Sequence, residues 1–155
     1  MVSAINKYLD KSKFILYVIG DKPKLFDSVQ IEKKFFGNIK SDKILKKIYS
    51  ASDIFVLPSI AESFGQVFIE AGSIGLPCIC FKNTAATEII KHKINGYSAR
   101  FKSTRDLSYG INWCKNNLLN SDAIYETMIS FKRAGASAIV SYFALELAKK
   151  LNKIN

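Results

Sequence analysis

A chain of 155 residues is long enough for one domain with a sizeable core, and its apolar fraction of 48% and charged fraction of 23% are those of an ordinary globular protein. No apolar stretch approaches the roughly 20 residues of a spanning helix, and the N-terminus lacks the charged-then-apolar layout of a signal peptide. The formal charge of +10 suits a solvated basic face, or attraction to nucleic acid, anionic lipid or a diphosphate ligand, and no zinc-finger spacing or RNA-stacking aromatic motif accompanies it.

In chain order, residues 2–11 read as the end of a helix, and FILYVIG (14–20) as a buried parallel strand closed by Gly20-Asp21. KFFGN (34–38) is a second short strand. Ser41 is placed to cap a helix over 42–51, whose apolar positions Ile44, Leu45, Ile48 and Tyr49 follow helical spacing. DIFVLP (53–58) is a third strand, 66–75 a helix, and PCICF (77–81) a fourth strand. A helix over 85–91 follows, then Asn95-Gly96 as a turn and YSARF (97–101) as a last strand. Ser103 to Asp106 resembles a capping box before a helix over 104–117, and helical patterns over 121–132 and 136–151 close the chain. Cys78 and Cys80 lie two apart in a strand, on one side of it. With Cys114 they show no metal-ligand or redox spacing and read as inert thiols in a reducing compartment.

Alternating strands and helices with short connections predict an α/β fold: a doubly wound, mostly parallel sheet with helices on both faces. In such sheets ligands bind outside the carboxyl ends of the strands. The loops expected there are Gly20-Asp21, Gly37-Asn38-Ile39, Pro58 to Gly65 and Lys82 to Ala86.

The segment from Pro58 to Cys80 carries the chemistry. Glu62 and Glu70 have seven residues between them, and the turn Ser63-Phe64-Gly65 follows the first. Glu70 sits among Val67, Phe68, Ile69, Ala71 and Ile74, where a carboxylate is costly to bury without hydrogen-bond donors such as those of a sugar or ribose diol. Gly65 has no side chain to obstruct a ligand. The first-turn amides of the helix that follows match a phosphate. Gln66, Glu70 and Ser73 form one polar stripe, with Glu70 roughly 6 Å along the axis from Gln66. The plainer readings are a surface residue on an amphipathic helix for Glu70 and a helix-capping carboxylate for Glu62. Lys40, Lys43 and Lys47 follow the Gly37–Ile39 loop and are candidate phosphate or base contacts. His92 reads as an exposed helix-end residue, and Trp113 with Tyr109 as core packing.

With the preceding strand and Gly75-Leu76-Pro77 after it, this segment resembles the nucleotide-sugar signature of glycosyltransferase family 4, retaining enzymes of the two-domain GT-B fold. The matching residues are Glu62, Ser63, Phe64, Gly65, Glu70, Gly75 and Pro77. VIGDKP, FFGNI, SDKILKKIYSASDIFVLPS and TAATEIIKHKINGYSA resemble the family's flanking strands, helices and turns.

The resemblance implies a donor-binding domain that holds a nucleotide-diphosphate sugar as substrate, with no cofactor and no metal. Glu70 would hold the ribose hydroxyls. Phe64, Gly65, Gln66 and Val67 would meet the diphosphate and sugar, with Ser63 beside them. Glu62 would contact the donor sugar as the catalytic carboxylate. Gly37, Asn38 and Ile39 would lie beside the base, and Gly20 would line the cleft. Asn83-Thr84-Ala85-Ala86 stands where the family is glycine-rich, and the family's leaving-group Arg and Lys and its acceptor domain have no counterpart in these residues. The chain is thus expected to be one N-terminally shortened domain, inactive alone. Its expected location is the cytoplasm, with peripheral contact to an anionic membrane and no specific nucleic-acid partner. A non-catalytic nucleotide or sugar-nucleotide binding module and a basic nucleic-acid-binding domain are the rival readings.

Overall fold

The computed structural model describes residues 1–20, 24–60 and 65–117. Its elements follow in the order α1 (Val2–Tyr8), β1 (Ile15–Ile19), a 3-10 turn (Lys24–Ser28), β2 (Glu32–Gly37), α2 (Asp42–Ser50), β3 (Phe55–Val56), α3 (Gln66–Ser73), β4 (Cys78–Phe81), α4 (Ala86–Ile89), β5 (Gly96–Ala99) and α5 (Thr104–Asn117). The patterns over 121–132 and 136–151 lie outside the described residues.

Among the described residues every strand pairing is parallel, as the alternation of strands and helices requires. Among the described residues the strands form two sheets, β1-β2 and β3-β4-β5, joined through a shared core. In β1-β2, Ile15 pairs with Glu32 and Ile19 with Gly37. In the larger sheet Phe55 pairs with Cys78, and Cys78 with Gly96.

β4 shows how the layers are built. All four of its residues are buried, so alternate side chains enter opposite cores. Ile79 and Phe81 join Leu107 and Ile111 of α5 and Ile5 of α1. Cys78 and Cys80 join Tyr49, Phe68, Ala71 and Ile89 of α2, α3 and α4. Helices therefore cover both faces of this sheet, and the two cysteines share a side as their spacing requires. Phe68, 1% exposed, is the largest fully buried side chain of the α3 face. Burial of a side chain of that size contributes about 2–3 kcal/mol.

Three local expectations change. β3 is shorter than 53–58, although the Leu57 amide still donates to the Ile79 carbonyl at 3.0 Å. The turn falls at Lys93–Asn95, earlier than Asn95-Gly96: Lys93, at φ 64°, takes the left-handed position, and Gly96 opens β5. Asn95 is instead buried as a clamp. Its Oδ1 accepts the Lys91 amide at 2.8 Å and its Nδ2 donates to the Ile89 carbonyl at 3.1 Å. The capping box forms by half. The Ser103 hydroxyl accepts the Asp106 amide at 3.2 Å, while the Asp106 carboxylate accepts the Arg100 amide and the Tyr97 hydroxyl.

Candidate functional site

β3 delivers the chain to the loop before α3, and Gly65 is the N-cap residue of that helix, at φ 66° and ψ 29°. The left-handed region favours glycine there. The Gly65 carbonyl accepts the Phe68 amide at 2.9 Å and the Ile69 amide at 3.4 Å. The amides of Gln66 and Val67 precede these bonds, at the end of the helix that carries partial positive charge. Gln66 is exposed, whereas Val67 packs against the core. Any ligand contact from Val67 therefore comes through its backbone.

The space beside Gly65 differs from the expectation of an open approach. A Cβ there would lie 3.3 Å from both Ile89 Cδ1 and Phe68 Cδ2. The missing side chain thus serves the packing of α3 on α4 as well as the turn.

Glu70 is half-buried one turn further along α3. Burial pushes its carboxyl above the usual range, a hydrogen bond from Tyr49 pulls it back, and the nearby Asp42 carboxylate raises it further. Tyr49 is 4% exposed at the end of α2. Burial and the adjacent Glu70 carboxylate hold its phenol well above the ordinary range. Helical spacing marks Tyr49 only as an apolar position, whereas the structure sets its buried phenol close enough to Glu70 for the two groups to shift each other's pKa. The available signal was a hydroxyl-bearing aromatic on the apolar stripe of the helix before β3. Ser73 departs from the predicted stripe: it is fully buried, and its hydroxyl donates to the Glu70 carbonyl at 2.8 Å. It braces the helix from within the core.

A second group lies at the carboxyl ends of β1 and β2. The Gly20 amide donates to the Gly37 carbonyl at 2.8 Å, and the two glycines have φ of 98° and 64°. A Cβ on Gly20 would come 3.9 Å from Asn38 Oδ1, and none would meet an atom within 4 Å at Gly37. Asn38 is exposed and Ile39 half-buried. The structure thus brings Gly20, Gly37 and Asn38 together, with Ile39 next in the chain. It places Gly65, Gln66, Val67 and Glu70 on one helix beyond β3. Glu62, Ser63 and Phe64 lie outside the described residues.

On α2 a shallow hollow is lined by Lys43, Lys46, Lys47, Ser50 and Ala51. His92 is exposed, as expected, but it follows α4 and turns back on β5. Its ring lies 4.4 Å from Tyr97, centroid to centroid, and its Nδ1 accepts the Ser98 amide at 3.3 Å. Partial burial, with Lys82 and Lys93 nearby, holds its pKa below the ordinary value. No helix among the described residues is long and apolar enough to cross a membrane.

A parallel sheet whose third strand feeds a glycine-capped helix carrying a half-buried glutamate defines a Rossmann-like α/β domain. Residues 2–129 match the family of glycosyl transferases group 1, and the chain belongs to that family. It is 29% identical over 119 residues to an uncharacterized glycosyltransferase of Methanocaldococcus jannaschii, a match covering 72% of this chain and 30% of that protein. Its fold is similar to sucrose-phosphate synthase from Thermosynechococcus elongatus, with a TM-score of 0.68 at 19% identity over 99% of this chain and 41% of that one. It is also similar to Anabaena HepE in complex with UDP and glucose, with a TM-score of 0.62 at 19% identity over 89% of this chain and 39% of that one. The fold is that of a Rossmann-like unit of the GT-B glycosyltransferases. The chain spans about a third of the length of these relatives, from 30% to 41%.

Proposed function

We propose that this chain is the C-terminal, donor-binding domain of a retaining family 4 glycosyltransferase that moves a sugar, of hexosyl type, from a nucleotide-diphosphate sugar to a glycan or lipid-linked glycan. The observation that carries the reading is Glu70: a half-buried carboxylate one helical turn from the amides of Gln66 and Val67. Membership of the glycosyl transferases group 1 family supports it, as does a fold shared with a protein bound to UDP and glucose.

In this reading the diphosphate lies at the α3 N-terminus, beside Gly65, Gln66 and Val67. The helix dipole there stabilises the negative charge that develops as the sugar departs. Glu70 accepts both ribose hydroxyls. Gly20, Gly37, Asn38 and Ile39 flank the base. Glu62 addresses the donor sugar, with Ser63 and Phe64 beside it. The acceptor is held by a separate domain, and the 155 residues alone bind the donor without transferring it. The donor is a substrate, and no cofactor takes part. Lys43, Lys46 and Lys47 on α2 suit peripheral contact with an anionic membrane.

Calorimetry with UDP, GDP and ADP tests the reading. Glu70→Ala is expected to weaken the nucleotide that binds by roughly 1.5–3 kcal/mol, the range for hydrogen bonds to a charged group. Unchanged affinity for every diphosphate that the wild type binds overturns it.

A further inference from the structure

We propose that the sheet has an open slot between β1 and β3, and that it takes one more strand, parallel to β1 and supplied by polypeptide that leads into α1.

Three departures from the expected sheet meet at this slot. FILYVIG reads as a strand buried on both faces, yet Ile15 is 58% and Tyr17 39% exposed. DIFVLP (53–58) reads as a full strand, yet β3 is Phe55–Val56 alone. β3 is also only half-buried, whereas β5, at the other end of the same sheet, is buried throughout. Among the described residues β1 pairs only with β2, and β3 only with β4. The Phe55 and Leu57 amides donate to the Pro77 and Ile79 carbonyls, each at 3.0 Å. Successive residues of a strand address opposite edges, so Val56 directs its N–H and C=O away from β4. Its side chain nevertheless packs against the core shared by the two sheets. An open edge on a half-buried strand is costly and is a template for a further strand.

Handedness selects the segment that fits. Among the described residues the shared core draws on Phe14 and Leu16 at β1 and on Ile54 and Val56 at β3, and on none of β2, so β1 is the strand nearer β3. The connection from β1 to β2 crosses that core through Phe26 and Val29, and α1 lies on the same face through Ala4 and Ile5. Parallel crossovers are right-handed in nearly every case. With the same hand on the same face, a strand feeding α1 falls on the side of β1 away from β2, which is the slot. Met1, the N-cap residue of α1, already packs on this core. The connections through α3 and α4 lie on the other face of the sheet, so the winding reverses at the slot, as it does in doubly wound sheets. The occupant is an apolar segment of roughly five residues, the length of β1.

The test compares backbone hydrogen exchange in the 155-residue chain and in the same chain extended by the native residues encoded immediately before Met1. The reference is the Lys82 amide, which bonds the Ala99 carbonyl at 2.7 Å on the far side of the sheet and reports any general gain in stability. Relative to Lys82, the Val56 amide should exchange about tenfold or more slowly in the extended protein. Two adjacent prolines in the middle of the added segment remove donors to both neighbours and should return Val56 to its rate in the shorter chain.

Unchanged exchange at Val56 relative to Lys82 in the extended protein overturns the proposal, as does a slowing that survives the prolines. A 155-residue chain in which Val56 is already protected overturns it too: as a dimer it fills the slot with a second copy, and as a monomer with its own residues. A gene with no coding residues before Met1 also overturns it.

Discussion

Gly96 of β5 lies so close to Cys78 of β4 that a methyl group on Gly96 would overlap the Cys78 carbonyl, besides coming 2.9 Å from Ile90 Cγ2. The two residues are partners in the parallel register, so the approach belongs to the β4-β5 ladder of the larger sheet. Glycine is required here by space and not by a turn, because the left-handed position falls at Lys93.

Gly96→Ala should therefore destabilise the protein by about 3 kcal/mol, the upper part of the usual overpacking range, since the obstacle is backbone. Gly37→Ala is the contrasting case. No atom lies within 4 Å of its Cβ, and its φ of 64° leaves only a conformational cost of about 1–2 kcal/mol. Urea unfolding of both variants measures the difference. Equal stability of Gly96→Ala and wild type would contradict the close approach.

Gly65 combines both constraints, a φ of 66° and contacts at 3.3 Å to Phe68 and Ile89. Gly65→Val is expected to lose about 3 kcal/mol of stability from strain and overpacking together. Gly65→Asn should lose less, because asparagine tolerates the left-handed region. Loss of nucleotide binding in the valine variant then reports a damaged helix start as well as a blocked phosphate. Chemical denaturation ranks the two, and a valine variant more stable than the asparagine variant would reverse the argument.

What was legible in the sequence was local. The apolar run at 14–20 marked β1 as a parallel strand, although Ile15, Tyr17 and Ile19 are exposed and only Val18 is buried; Ser103 to Asp106 marked the start of α5, and the two-residue spacing placed Cys78 and Cys80 on one side of β4. What was not legible depends on which elements meet. Helical spacing made Tyr49 an apolar position, and only the packing of its ring on Phe55, itself packed on Phe68, buries its phenol near Glu70. Ser73 shares a helical face with Glu70, yet it turns back to the Glu70 carbonyl in the core. Asn95-Gly96 carries a strong turn signal, but tertiary contacts use the asparagine as a clamp and the glycine as a strand contact.

The cysteines give a prediction independent of ligand. Cys78, Cys80 and Cys114 are all buried and free of disulfides. Burial pushes the Cys80 and Cys114 thiols up to about 12 and raises Cys78 as well. The thiolate is the reactive form, so all three should react slowly with a thiol reagent at neutral pH in the folded protein. Unfolding in guanidinium should release three equivalents at once. Rapid labelling of one site in the native protein would show that its burial is incomplete.

Glu70 links the site to pH. Its carboxyl is raised above 4.5, first by burial and then by Asp42, against the lowering hydrogen bond from Tyr49. Between the ordinary carboxylate value and the raised one, the folded state holds a proton that the unfolded state has released. Stability therefore falls as pH rises through that window and is level above it. Glu70→Gln removes this titration, so its stability should improve relative to wild type as pH rises through the window. Nucleotide binding should run the other way, because only the ionised carboxylate accepts both ribose hydroxyls. Wild-type affinity should fall on acidification at a pH above the ordinary glutamate range. Glu70→Gln should flatten that limb, and Tyr49→Phe should move it to higher pH, since the lowering hydrogen bond is gone. Calorimetric titrations across mildly acid pH, with melting followed in the same buffers, measure both trends. A limb that survives in Glu70→Gln would assign the titration to another group.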